Sequence, residues 1–263
     1  MILPPEDEIM IKSHIKYFNG KSKIEYFLGF FIASFFSLAY FFTPIYILTC
    51  LYVMVFNPLG KGFTMKFITP MVLSILTPCI SAPGLLKKFA YPMLEFFEYE
   101  EIFEATTEEV DKMLEGGKKF LLIAQPHGVL SYGGFCAKIT CPKKYGHLPT
   151  AVAAALLHFP ILKQVMGMFS LIDASASNMA KVFKKDGPEG CIILYVGGIA
   201  ELFKCSLTEE RLYLSKRKGF VKLALREGVD IMPAYLFGNT SILSILKTGP
   251  LASLSRKIGG SLT

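Results

Sequence analysis

Charged side chains are scarce in this sequence. Asp, Glu, Lys and Arg make up 19% of its 263 residues, whereas 52% of the residues are hydrophobic. Soluble domains carry about 25% charged residues. The composition excludes intrinsic disorder, collagen and coiled coil, and it argues against an ordinary soluble enzyme. It indicates instead a membrane segment joined to a globular domain.

Patterns for metal binding, disulfides and nucleic acid are also missing. The six cysteines fall at irregular spacings without a Cys-x-x-Cys pair, and the four histidines are too scattered for a zinc cluster. We therefore predict reduced thiols, a cytosolic environment and no metal. Because no known nucleic-acid motif occurs and the first part of the chain is strongly apolar, nucleic acid is not expected as a partner.

The charge that is present is divided unevenly along the chain. Residues 1–115 contain 9 Lys or Arg and 13 Asp or Glu, whereas residues 116–263 contain 19 and 8. Nine of the acids lie between Glu95 and Glu115, which predicts a solvated linker and helix. The basic second half predicts an anionic ligand, an anionic membrane face, or both.

A long uncharged run lies near the N-terminus, from Tyr26 to Gly60. It starts too late and is too long for a cleaved signal peptide. One straight helix of this length would measure about 52 Å, against roughly 30 Å of bilayer hydrocarbon, and Pro44 lies near its middle. We predict a membrane hairpin at 26–60, with a single tilted span as the alternative. Lysines on both flanks favour a cytosolic location for both ends.

A second uncharged run covers residues 67–86 and contains three prolines. It predicts an interfacial or re-entrant segment, with a buried core helix as the alternative. The chain is thus divided into four parts: a cytosolic N-terminal segment at 1–25, the membrane hairpin or span at 26–60, an interfacial apolar segment with an acidic linker at 61–117, and a globular domain at 118–263.

The globular part alternates apolar strands with helical patterns. This alternation predicts an α/β layered domain with a largely parallel sheet, in which ligands bind at the carboxyl ends of the strands. The predicted buried strands are Phe120–Ala124, Cys191–Val196 and Val229–Leu236, and the predicted helices are Ala154–Met166, Asn178–Lys185 and Gly219–Glu227, the last capped by Gly228.

His127 follows the first predicted strand, between Pro126 and Gly128. With an ordinary pKa near 6.5, this imidazole could take a proton from an alcohol at neutral pH. The alternative is a loop histidine that caps a helix or binds backbone.

Two more candidate groups follow in the sequence. Gly197 and Gly198 come after the second strand and permit a sharp turn or the close approach of a ligand, and Glu201 could orient an imidazolium or simply favour a helix start. Lys216, Arg217 and Lys218 precede a helix that begins at Gly219. This cluster is either a phosphate site or a solvated charge run.

These stretches, in this order, resemble the type-2 diacylglycerol acyltransferase family, which includes monoacylglycerol and wax-alcohol acyltransferases. The resemblance spans roughly residues 120–263. The matching stretches are Pro126-His127-Gly128-Val129-Leu130-Ser131, Val196-Gly197-Gly198-Ile199-Ala200-Glu201, Arg217-Lys218-Gly219-Phe220-Val221-Lys222-Leu223-Ala224-Leu225 with Gly228, and Ile231-Met232-Pro233 with Phe237-Gly238.

The resemblance implies a glycerolipid-acyltransferase-like domain at 118–263 of an endoplasmic reticulum membrane protein. The domain would face the cytosol, with lipid droplets as a second location. It would transfer a fatty acyl group from acyl-CoA to diacylglycerol, with acyl-CoA as co-substrate and no resident cofactor. The catalytic residues would be His127 and Glu201, and the substrate-binding residues would be Pro126, Gly128, Gly197, Gly198, Arg217, Lys218, Gly219 and Phe220.

The sequence also departs from the family pattern. Gln125 stands where the family usually has a first histidine, and an arginine common near Ala176 is absent. The chain stops at Thr263 where relatives continue, so we expect the domain to be incomplete at its C-terminus. Monoacylglycerol or wax-alcohol transfer, and a non-catalytic lipid-binding membrane protein, are the alternative functions. Acyl-chain preference and homo-oligomerisation stay open.

Overall fold

The computed structural model describes residues 12–145, 148–205, 209–243, 248–250 and 253, without the side chains of Lys143 and Ile199. His147 and the predicted C-terminal end lie outside the described residues. The strands are β1 (Ser13–Lys16), β2 (Glu100–Phe103), β3 (Phe120–Gln125), β4 (Thr150–Val152), β5 (Leu171–Asp173), β6 (Ile192–Leu194) and β7 (Asp230–Tyr235). The helices are α1 (Lys23–Phe56), α2 (Lys61–Leu76), α3 (Pro83–Ala90), α4 (Met93–Phe96), α5 (Thr107–Glu115), α6 (Tyr132–Thr140), α7 (Ala154–His158), α8 (Leu162–Gly167), α9 (Ala176–Phe183), α10 (Gly198–Leu202) and α11 (Gly219–Glu227).

The centre of the fold is a five-stranded parallel sheet in the order β5-β4-β6-β3-β7. Side chains alternate between its two faces, as they must in a strand. Leu121 and Ile123 pack with α9 and α11, whereas Phe120 packs toward α5 on the opposite face. The predicted α/β layered domain with a parallel sheet is therefore confirmed.

The third predicted strand is present but is not buried. β7 pairs only with β3 among the described strands, and most of its residues are exposed. Pro233 lies within β7, which fits an edge strand because proline cannot donate a ladder hydrogen bond. The expectation of a buried strand at Val229–Leu236 is wrong, since an apolar run does not reveal whether both faces of a strand are covered.

Helix α11 has the predicted bounds and ends at Gly228, whose φ of 66° is left-handed. The single helix expected at Ala154–Met166 is instead divided into α7 and α8. The division falls at Pro160, whose ring disfavours helical conformation in the residue before it. Three short elements, β4, β5 and α6, were not predicted because their apolar patterns are brief.

The hairpin predicted at 26–60 is also wrong in its placement. α1 continues through Pro44 as one helix, and the chain turns only after Phe56 and enters α2 at Lys61. A proline removes one helical hydrogen bond, and the rest of this long helix remains regular. Within the described residues, α1 is the one helix that is long and apolar enough to cross a membrane, judged by length and composition.

The two ends of α1 have different surroundings. Ile32, Ala33 and Phe36 in its first half are buried in a core cluster with α3, α4, α6 and α8. The Phe36 ring lies 5.6 Å from that of Phe135 and 5.4 Å from that of Phe169, measured between centroids. The second half packs on α2, where the Tyr46 hydroxyl donates to the Phe67 carbonyl at 2.6 Å. α1 is therefore part of the core of the α/β domain as well as an apolar extension of it.

Residues 67–86 comprise the end of α2, a connection and the start of α3, rather than one continuous helix. The end of α2 is bound to α8 by polar side chains. The buried Ser74 hydroxyl donates to Gln164 Oε1 at 2.6 Å, and Gln164 Nε2 donates back to the Ser74 carbonyl at 3.1 Å. The apolar helices are thus fixed to the domain at both ends.

The acidic stretch from Glu95 to Glu115 is more ordered than a linker. β2 pairs with β1, and His14 and Lys16 on β1 both contact the Glu100 carboxylate. α5 begins with a capping box in which Thr106 and Glu109 satisfy each other's backbone amides. Glu100 and Glu109 therefore face basic residues from the N-terminal segment, whereas Asp111 pairs with Lys144.

Candidate active site

The loop from Pro126 to Tyr132 leaves the carboxyl end of β3, next to the ends of its neighbours β6 and β7. Gln125, the last residue of β3, lies opposite Tyr235 of β7, and its carbonyl accepts a hydrogen bond from the Leu236 amide at 2.6 Å. The parallel register therefore brings His127 beside the segments that follow β6 and β7. This is the location at which such sheets bind ligands.

The imidazole of His127 has one nitrogen engaged. Nδ1 lies 2.5 Å from the carbonyl oxygen of Gly128. A carbonyl can only accept, so Nδ1 carries the proton and Nε2 has a free lone pair. Among the described residues Nε2 has no hydrogen-bond partner. The Tyr195 ring packs against the imidazole in an edge-on arrangement with centroids 5.2 Å apart.

Burial lowers the pKa of His127 below its ordinary value. The Gly128 carbonyl and the Glu201 carboxylate act in the opposite direction, but burial is the larger effect. The ring is therefore neutral at pH 7, which is the state a general base requires.

Glu201 is nearly inaccessible, with 1% of its surface exposed. Its Oε1 accepts from the backbone N–H of His127 at 2.7 Å, and its Oε2 accepts from that of Tyr213 at 3.1 Å. We expected Glu201 to orient an imidazolium ring, but in the structure it holds the backbone at His127 instead. The carboxylate thereby links the histidine loop to the segment that precedes α11.

Gly197 and Gly198 are each glycine for a different structural reason. A Cβ on Gly197 would lie 2.1 Å from Oε2 of Glu201, so this position must lack a side chain for the carboxylate to fold back. Gly198 has a φ of 55°, a left-handed conformation that glycine adopts without strain. No protein acceptor is seen for either amide N–H within the described residues. Gly198 is partly exposed and Gly197 is buried, and donation by these amides to a ligand stays a prediction.

Asn239 was not predicted. It lies outside the histidine loop, but its side chain makes more hydrogen bonds to the loop and the start of α6 than any other described side chain. It is 1% exposed, and its Nδ2 lies 2.8 Å from the carbonyls of Pro126 and His127 and 3.3 Å from the Ser131 hydroxyl. Its Oδ1 accepts from the Gly133 amide at 3.1 Å. A polar residue just past the carboxyl end of β7 is the signal that could have revealed it, since the same rule selected His127.

Gly128 and Pro126 lie inside this arrangement. Pro126 is fully buried, and Gly128 has a φ of 64° with its Cα against the Asn239 backbone, where a Cβ would lie 2.5 Å from the carbonyl oxygen. Their contact with substrate, expected from the resemblance, stays a prediction.

The basic cluster divides into residues with different surroundings. The Arg217 guanidinium lies 5.1 Å from the centre of the Tyr213 ring, whereas Lys218 and Gly219 at the start of α11 are exposed. Phe220 packs against the core cluster beneath α9 and α11. Roles in substrate binding for these four residues stay predictions.

The described residues contain no group of three or more His, Cys, Asp or Glu that could hold a metal ion.

The fold is that of an α/β protein, and its candidate site around His127 lies at the carboxyl ends of the parallel strands. The family described as diacylglycerol acyltransferase matches residues 95–260. The chain therefore belongs to the diacylglycerol acyltransferase family, which confirms the resemblance seen in the sequence.

Curated relatives agree with this family. Human diacylglycerol O-acyltransferase 2 is 32% identical over 131 residues, which cover 48% of this chain and 34% of the relative. Human 2-acylglycerol O-acyltransferase 3 is 30% identical over 49% of the chain and 39% of the relative. Mouse 2-acylglycerol O-acyltransferase 1 is 27% identical over 58% and 47%. The matches thus span between a third and a half of the relatives' length. No solved structure matches the chain.

Proposed function

We propose that this protein is a membrane-bound O-acyltransferase that transfers a fatty acyl group from acyl-CoA to diacylglycerol and forms triacylglycerol. The family match and the activities for which the relatives are named support this reaction class. We place it at the endoplasmic reticulum membrane, with the α/β domain facing the cytosol and no resident cofactor. The exposed apolar side chains of α1 support a membrane location.

In the proposed reaction, Nε2 of His127 takes the proton of the acceptor hydroxyl as its oxygen attacks the thioester carbonyl. The carbon–sulfur bond then breaks, and the imidazolium returns the proton to the departing thiolate. The amides of Gly197 and Gly198 would donate to the oxyanion, and Arg217 and Lys218 would hold the phosphates of coenzyme A. Glu201 would act by fixing the backbone of His127.

The observation that carries the proposal is the state of the His127 ring. Its proton is committed to the Gly128 carbonyl through Nδ1, and burial keeps it neutral, so Nε2 is prepared to accept a proton. The alternative is a loop histidine that only binds backbone. That role would not require Nε2 to lack a protein partner, as it does among the described residues.

The test is acyl transfer in membranes from cells that have no triacylglycerol synthesis of their own. His127→Ala should reduce acyl-CoA-dependent ester formation by about 10²- to 10⁴-fold, the usual contribution of a general base. The matched control is His158→Ala, because the His158 ring is exposed and also binds a backbone carbonyl, that of Ala154 at 2.8 Å. Full activity in His127→Ala would refute the assignment.

Monoacylglycerol is the second candidate acceptor. The match to mouse 2-acylglycerol O-acyltransferase 1 covers more of this chain than the match to human diacylglycerol O-acyltransferase 2. Radiolabelled acyl-CoA offered with diacylglycerol, monoacylglycerol and a long-chain alcohol separates the three reactions. A non-catalytic lipid-binding protein would form no ester with any of them.

A further inference from the structure

Two cations lie against the ring of one tyrosine beside the candidate active site. The Lys204 Nζ is 4.5 Å from the Tyr213 ring centre, and the Arg217 Cζ is 5.1 Å from it. Because both contact the same ring, the two charges are separated by no more than about one Debye length, roughly 10 Å at 0.1 M salt. Cation–π contact stabilises each of them, but it does not remove their mutual repulsion.

Neither cation has a carboxylate partner within the described residues. The Arg217 Nε is buried and has no hydrogen-bond partner there either. The acids nearest in sequence are engaged elsewhere, since Glu209 pairs with Arg211 and Glu210 accepts from the hydroxyls of Tyr235 and Thr240. A buried arginine N–H has no acceptor here, and a second cation without a carboxylate partner among the described residues lies beside it. This arrangement indicates a binding site for an anion.

The segment that carries Tyr213 is fixed at several points. The Cys205 thiol donates to the carbonyl of Arg211 at 3.3 Å, which joins the residue after Lys204 to the segment that carries Tyr213. The Tyr213 backbone N–H donates to Glu201, whose other oxygen holds the backbone of His127. The Glu201 carboxylate therefore connects the segment that carries Tyr213 to the loop that carries the imidazole.

We propose that Lys204, Tyr213 and Arg217 form a phosphate-binding clamp. Arginine supplies planar paired donors for phosphate oxygens, lysine supplies a mobile point charge, and the ring holds both side chains in place. Lys204 and Tyr213 extend the site beyond the residues selected from the sequence. Lys218 is not part of the clamp, because the cations seen against the Tyr213 ring among the described residues are Lys204 and Arg217.

The phosphate has two chemical sources, coenzyme A and the headgroup of an anionic phospholipid. Its assignment to coenzyme A rests on the proposed function. The existence of the clamp does not rest on the proposed function, because phosphate binding can be measured without turnover.

The test is calorimetric titration of the detergent-solubilised full chain with coenzyme A and, separately, with soluble dihexanoyl phosphatidic acid. Lys204→Met and Arg217→Met should each weaken coenzyme A binding by about 10- to 100-fold, the usual cost of one charge-assisted contact. Tyr213→Leu should also weaken it, whereas Tyr213→Phe keeps the ring and should bind as the native chain does. Lys181→Met, on the exposed side of α9, is the matched control.

Each outcome decides a separate question. If the three variants lose coenzyme A binding, the clamp holds the phosphates of the acyl donor. If they lose only phosphatidic acid, the clamp holds a lipid headgroup. If both ligands bind all folded variants equally, the clamp is refuted. A chain that binds coenzyme A through the clamp but forms no ester would refute the proposed transferase reaction and leave the clamp standing.

Discussion

The histidine loop and helix α1 are positioned by opposite means. In the loop, buried polar side chains satisfy the backbone, chiefly Asn239 and Glu201. In the first half of α1, apolar side chains such as Phe36 fill the core, while the outward side is largely exposed, as Phe31 shows with 65% of its surface exposed.

The difference shows which property of each region the sequence must preserve. In the loop, the identity of each donor and acceptor matters, because a buried group that loses its partner costs about 1–3 kcal/mol. On the buried side of α1, the volume of each side chain matters. On the outward side, the hydrophobicity of each side chain matters. A substitution can therefore damage one region without affecting the other.

The largest expected effect is on the packing of α1. Phe36 is 0% exposed, and Phe36→Ala should lower the free energy of unfolding by about 3–5 kcal/mol, because it leaves a cavity beside the stacked rings of Phe135 and Phe169. Phe41, on the same helix, is 66% exposed. Phe41→Ala should change the unfolding free energy by less than about 0.5 kcal/mol. Denaturant unfolding in detergent measures both.

Equal losses for the two phenylalanine variants would contradict this division of α1 into a docked side and an outward side. The same result would show that the outward side packs against protein. Membrane flotation of Phe41→Ser then provides the complementary measurement, since only a lipid-facing residue should alter it.

Removing the polar support of the loop comes next. Asn239→Leu leaves the carbonyls of Pro126 and His127 without their donor and should lower turnover by about 10- to 100-fold, since a displacement of about 1 Å in a site costs this much. Asn178→Leu is the matched control, because Asn178 makes one comparable bond, to the Asp173 carbonyl at 2.9 Å, away from the site.

Turnover and unfolding free energy should be measured together for the asparagine pair. We expect both variants to lose stability and only Asn239→Leu to lose turnover beyond the loss of folded protein. If Asn178→Leu lowers turnover per folded molecule equally, Asn239 has no special role in positioning His127.

The smallest effect is expected at Gln125, which precedes the loop. It is 7% exposed, and its Oε1 is buried without a partner among the described residues. Gln125→Leu removes this unpaired acceptor at similar volume and should leave the unfolding free energy unchanged or raise it by up to about 1 kcal/mol. A clear loss of stability in a thermal melt would show that Oε1 does have a partner.

Much of the α/β domain could be predicted because local patterns decide it. The alternating strands and helices give the sheet, and the amphipathic pattern ending at Gly228 gives the bounds of α11. His127, Glu201 and Arg217 were selected as candidates because they follow strands or precede a helix, and their roles stay predictions. Each of these signals is contained within a few consecutive residues.

What the sequence could not reveal depends on contacts between distant segments. Asn239 lies more than a hundred positions from the loop that it supports, and Lys204 meets Arg217 only through Tyr213. The turn predicted near Pro44 failed because the surrounding helix is held by packing on α4 and α2. The orientation of Glu201 toward backbone rather than imidazole likewise depends on side-chain placement, which spacing does not specify.

The pH dependence of kcat/KM for acyl transfer tests the central claim most directly, namely that His127 is a neutral base. Burial lowers the pKa of His127 below about 6.5, so activity should be constant above pH 7 and should fall only below that pKa. Folding stability should begin to fall as the pH drops below about 6.5, the pKa of the unfolded histidine, and should level off below the folded pKa, because between the two values the unfolded histidine binds a proton that the folded one excludes. The acid limb should be absent from the residual activity of His127→Ala. An unchanged limb in that variant, or a midpoint above 7 in the native chain, would contradict the account.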